Sequence, residues 1–95
     1  MMGRKEHRAA LKEATAVFLP ILTQALDTAP AEAFCIQVED LWFSRDYLTE
    51  MRDTLIRILA GESVSWEKLC QSITLEMIAN SNHWAKIRYH ARQFL

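Results

Sequence analysis

Apolar residues recur at intervals of three and four along almost the whole chain, a spacing that predicts helices. Ala10, Leu11, Ala14, Val17, Phe18, Ile21, Leu22 and Ala25 fall on one helical face, defining a first helix from about Arg4 to Thr28. Pro20 removes one backbone donor in the middle of this run. The stripe keeps its phase across Pro20, so the expectation is a kinked but continuous helix. Asp27-Thr28-Ala29-Pro30 then reads as a stop and restart, because proline is favoured in a first helical turn. A second helix is expected from Pro30 to about Phe43, with Phe34, Cys35, Val38, Leu41 and Trp42 as its stripe. Ile36 and Phe43 fall off that stripe and form a candidate exposed apolar pair.

Ser44 is a suitable N-cap for a third helix, Arg45 to Ala60, with Asp46 in the first turn and Gly61 as its terminator. Ser65 caps a fourth, flanked by Val64 and Leu69 in the positions of a hydrophobic staple. Its stripe is Trp66, Cys70, Ile73, Met77, Asn80, Trp84, Ile87, Ala91 and Phe94, an unbroken heptad register. Asn80-Ser81-Asn82 are poor helix formers. They either bend one long helix or break it, leaving a fifth helix, His83 to Leu95, capped by Ser81 or Asn82. The surviving phase favours the long helix.

The expected fold is therefore all-α: one domain over residues 1–95, a small bundle of four or five helices, with a kinked first helix and a long C-terminal one. A continuous last helix would measure about 45 Å and outrun its neighbours. Trp84, Ile87, Ala91 and Phe94 would then lie uncovered, and with Ile36 and Phe43 they are the candidate partner-binding residues. Three tryptophans strengthen that reading, since Trp is enriched at binding hot spots.

Composition narrows the class. With 95 residues the chain is too short for a dinucleotide-binding or barrel enzyme. Two glycines and two prolines argue against a turn-rich β fold and against disorder. Net charge is −1, but it is unevenly placed. Residues 1–15 carry a net +2 and residues 81–95 a net +3, while the segment between them carries −6. Cys35 and Cys70 are too few for a disulfide scaffold; read as buried free thiols, they fit a reducing, cytoplasmic setting. The apolar run Ala16 to Leu22 is too short for a signal sequence, and no stretch of about 18 apolar residues predicts a membrane span.

No Gly-rich phosphate loop, Cys-x-x-Cys, His-x-x-x-His or Glu-x-x-His is present, so no catalytic set, metal or cofactor is expected. His83 and His90 are read as solvent-facing. The expected function is a non-enzymatic protein-interaction module (an adaptor, inhibitor or regulatory subunit) that pairs with itself, as a dimer, through the C-terminal helix. The acidic centre, with Glu32, Glu39, Asp40, Asp46, Glu50 and Asp53, would suit a basic partner. The alternative is a small nucleic-acid-binding regulator using Lys86, Arg88, Tyr89 and Arg92, a basic, aromatic helix end pointing away from the apolar stripe. Against it stand the slightly acidic whole chain and the lack of glycine between Ile78 and Trp84, where a helix-turn-helix usually has one.

Overall fold

A computed structural model describes residues 2–95. Its elements in chain order are α1 (Arg4–Thr28), β1 (Cys35–Val38), β2 (Leu41–Ser44), α2 (Arg45–Ala60), α3 (Trp66–Ser72), α4 (Leu75–Asn80) and α5 (Asn82–Ala91), closed by a 3-10 turn, Arg92–Phe94. The mostly helical compact fold expected from the spacing is the fold the chain adopts, with 71% of residues helical. It measures 44 × 27 × 21 Å.

α1 runs unbroken through Pro20 and buries His7, Leu11, Thr15, Phe18, Leu22 and Leu26 along one face. Val17, placed on the inward stripe by the sequence, is instead 55% exposed. By length and composition alone α1 is long and apolar enough to cross a bilayer, a test that a core helix also passes. Its inner face supplies the core of this fold.

The second helix is corrected to a β-hairpin. β1 and β2 pair antiparallel with Ile36 opposite Phe43 and Val38 opposite Leu41. Opposed residues share a face. These four point inward, with Ile36 and Val38 buried and Leu41 and Phe43 half-buried, while Cys35, Gln37 and Trp42 are exposed. The same residues satisfy a helical spacing of three and four and a strand spacing of two, and their β-branched and aromatic character decides for strand. Cys35 is accordingly a surface thiol.

The long C-terminal helix is also corrected. It is broken at Ile73-Thr74 and at Ser81 into α3, α4 and α5. Each piece starts on a hydroxyl cap. Ser65 Oγ accepts from Lys68 N (3.2 Å), Thr74 Oγ1 from Met77 N (3.3 Å) and Ser81 Oγ from Trp84 N (3.4 Å). The heptad phase survives because all three pieces turn their apolar side to one core, where Cys70, Ile73, Met77, Trp84, Ile87 and Ala91 are buried. Asn80 is not a core residue: it is exposed, and its amide donates to Glu76 O (2.8 Å).

Trp84 sits at the centre of that core with no exposed surface. It meets Phe18 edge to face with ring centroids 4.6 Å apart, and Phe43 and Tyr47 at 5.6 and 6.2 Å. The hairpin is tied to the start of α5 by Glu39, whose carboxylate accepts from Ser81 Oγ (2.6 Å) and pairs with His83 Nδ1 (3.2 Å).

Candidate functional site

The expected uncovered apolar tail does not exist. Trp84, Ile87 and Ala91 are fully buried, Phe94 is 8% exposed and Ile36 4%. Phe43 is half-buried and stacked on Tyr47 at 5.4 Å. These six residues, expected to bind a partner, fill this chain's own core because α5 lies along α1. The large apolar side chains left open lie elsewhere and are scattered: Phe34 (74%) just before β1, Trp42 (65%) on β2, Leu75 (73%) at the start of α4 and Leu95 (66%).

The packing of α5 on α1 has a second consequence. Contacts between the start of α1 and the end of α5 bring the two basic chain ends together. His7 Nδ1 lies 3.0 Å from His90 Nδ1. The guanidinium carbons of Arg4 and Arg8 lie 5.4 and 4.8 Å from the centroid of the Phe94 ring, a cation–π geometry. That ring packs in turn on Trp66 at 4.9 Å. Arg88 Nε donates to Cys70 O (3.3 Å), anchoring α5 to α3. Arg4 and Arg8 of α1 thus meet the chain segment that carries Arg88 and Arg92, while Lys5 and Lys12 lie on the face of α1 turned away from His7 and Lys86 lines the α1–α5 cleft together with Glu13. Among the described residues, none of these seven cations lies within 4.0 Å of a carboxylate. Glu6, the acid nearest the chain start, folds back toward Gly3: a Cβ there would meet its Oε2 at 2.8 Å.

The helix dipole accounts for only part of this cluster. Arg88 and His90 in the last turn of α5 suit its negative end. Arg4 and Lys5 open α1, where the dipole favours acids, so they stand there against the local preference. Electrostatics leaves its mark on the neighbouring groups. Burial, then His7, then Lys86 lower the pKa of His90 below the usual imidazole range. Burial pushes the Cys70 thiol up despite Arg88 and Arg92 beside it, leaving a protonated, weakly nucleophilic sulfur.

Of the residues expected to meet nucleic acid, Lys86, Tyr89 and Arg92 are exposed and Arg88 is half-buried. The sequence reading missed their union with Arg4 and Arg8. The signal was available as a positive excess at both termini, but helix pairing was needed to join them. It also missed His7, which is buried, and the role of His83, whose ring stacks on Phe18 at 4.9 Å instead of facing solvent.

Two open clefts lie on the surface. One of about 420 Å³ lies between α2 and α3, lined by Tyr47, Thr54, Arg57 and Ser72, among others. A second, about 280 Å³, lies between α1 and α5, with Glu13, Ala14, Val17, His83, Lys86 and His90 on its walls. Tyr47 borders the first cleft, where its hydroxyl donates to Ser72 O (2.8 Å); burial, opposed by that bond and aided by Glu50, pushes its pKa up to about 12. Among the described residues, no three side chains gather that could hold a metal ion.

No protein-family model matches the chain, and no match was found among curated proteins or solved structures.

Proposed function

We propose that this protein is a small non-enzymatic binding module for nucleic acid, held by the phosphate backbone at its basic end. The observation that carries the reading is the meeting of Arg4 and Arg8 with the segment that carries Arg88 and Arg92, with Lys5, Lys12 and Lys86 on the same two helices and no carboxylate within 4.0 Å of any of the seven among the described residues. Four are arginines, whose planar donor forks match phosphate oxygens. The missing glycine no longer counts against the reading. The α4–α5 connection is Ser81 alone, at φ −149° and ψ 121°, an extended conformation open to any residue.

The test is a titration of a short mixed-sequence duplex at rising salt. The expected slope of log K against log salt is about −4, as for four or five neutralised phosphates. A slope flatter than about −2, or no binding at low salt, overturns the proposal.

A second reading keeps the protein-interaction module but moves its surface. Trp42 and Phe34, exposed on and just before the hairpin beside Glu32, Asp40 and Asp46, would meet a protein partner or a second copy, in keeping with a cytoplasmic regulator. The titration separates the two readings, because a protein-only module leaves the oligonucleotide free.

A further inference from the structure

The exposed side of α5 is as regular as its buried side. Trp84, Ile87 and Ala91 point inward. Asn82, Lys86 and Tyr89, spaced 4 and 3, fall on the opposite side of α5, Gln93 follows in the 3-10 turn, and all four are exposed. No apolar or acidic side chain lies among them. Tyr89 is 58% exposed, and its ring is braced by His7 and His90 at centroid distances of 5.8 and 5.0 Å. Gln93 Nε2 donates to Tyr89 O (3.1 Å), holding the side chain along the helix. An exposed helix of this size ordinarily carries charges of both signs on its outer face. This one has a single lysine, two amides and a phenol.

Resting on the nucleic-acid reading above, we infer that α5, with the turn that follows it, reads duplex DNA, with Asn82, Lys86 and Tyr89 of the helix and Gln93 of the turn directed at base edges in the major groove. The residue types fit that task. A lysine ammonium suits the paired acceptors of guanine, and Asn and Gln amides suit the donor–acceptor pair of adenine. The dimensions fit as well. Ten residues make a helix about 15 Å long, which covers about four or five base-pair steps. A helix with its side chains is about 10–12 Å across, the width of the B-form groove. The deep, narrow groove of A-form RNA would not admit it. Arg92 lies beside the stripe and Arg4 and Arg8 lie at its end, which assigns them to phosphates, while Arg88 is engaged with Cys70 O. Such contacts set register, and the stripe supplies preference.

Selection from a randomised duplex pool tests this. The expected result is a short preferred sequence of about four or five base pairs. Gln93→Ala and Lys86→Gln should each cut the ratio of preferred to scrambled affinity roughly tenfold, the worth of one base contact. Arg92→Ala should lower both affinities together and flatten the salt slope by about one. Gln93 and Lys86 are exposed, so these variants keep the fold, and unchanged circular dichroism verifies it. Duplex binding without sequence preference overturns this inference and leaves the phosphate reading standing. The same holds for a preference that Gln93→Ala and Lys86→Gln leave intact, and for tighter binding of single strands or RNA. No binding of any nucleic acid overturns both.

Discussion

At the residue scale, two buried polar atoms stand without partners, the hydroxyl of Thr15 and the indole N–H of Trp84. A buried donor or acceptor left unpaired carries a desolvation cost of about 1–3 kcal/mol. Thr15 has no exposed surface and lies on the inner face of α1 among Leu11, Phe18 and Leu22. Thr15→Val removes the hydroxyl and keeps the branched shape, so it should stabilise the fold by about 1 kcal/mol. A urea melt checks this as a raised midpoint with an unchanged slope. Trp84 differs: its ring fills the centre of the core, and no smaller side chain could replace its contacts with Phe18, Phe43 and Tyr47. The stripe identified Trp84 as inward-pointing. It could not tell that the surface Trp84 faces belongs to the same chain, because that depends on where α5 lies.

At the scale of elements, legibility followed the strength of local signals. α1 and α2 were readable because each repeats its apolar spacing over many turns, and α2 is bracketed by Ser44 and Gly61, whose φ of 76° needs no Cβ. The hairpin was not readable. A two-residue β-turn normally announces itself with Asn-Gly or Asp-Gly, but here the loop is Glu39-Asp40. Glu39 adopts φ 57°, in the left-handed region that glycine enters freely. The contacts that hold it there are with Ser81 and His83, more than 40 residues downstream, so no window around the loop contains them. This makes a graded prediction. Glu39→Ala loses both hydrogen bonds and keeps the strained backbone; Glu39→Gly loses the same bonds and releases the strain. The Gly variant should be more stable than the Ala variant by about 1 kcal/mol, measured by paired urea melts. Equal stabilities would show that the turn relaxes once the carboxylate is gone. The broken C-terminal helix was half legible. The cap at Ser65 is plain in the sequence and Ser81 or Asn82 offers a second, but the preserved heptad phase favours continuity, and short helices sharing one core preserve that phase equally well.

At the scale of the whole molecule, the joining of the two termini makes stability and binding respond to acid in opposite directions. His90 packs against His7 from α1 and follows Lys86 by one turn of α5, with Arg4 and Arg8 on the nearby Phe94 ring. Glu13 lines the same cleft as His90, yet the pKa of His90 is lowered, by burial first and then by His7 and Lys86. A histidine whose folded pKa lies below its unfolded value contributes stability that is fully present above about pH 6.5. As pH falls through that value, the unfolded chain takes up the proton first and the contribution is lost. The free protein should therefore melt at a lower temperature at about pH 5.5 than at about pH 7.5, and His90→Gln should reduce the difference. A bound phosphate backbone reverses the local field, since it brings negative charge to the same cluster. Protonating His90 then gains a partner rather than repulsion, and binding draws protons from solution. Affinity for duplex DNA at fixed salt should rise as pH falls from about 7.5 to about 6, and His90→Gln should flatten that rise. Calorimetry in buffers of different ionisation enthalpy measures the proton uptake directly. Proton release on binding, or an affinity that does not change across this range, would place the nucleic acid away from the end where α1 and α5 meet.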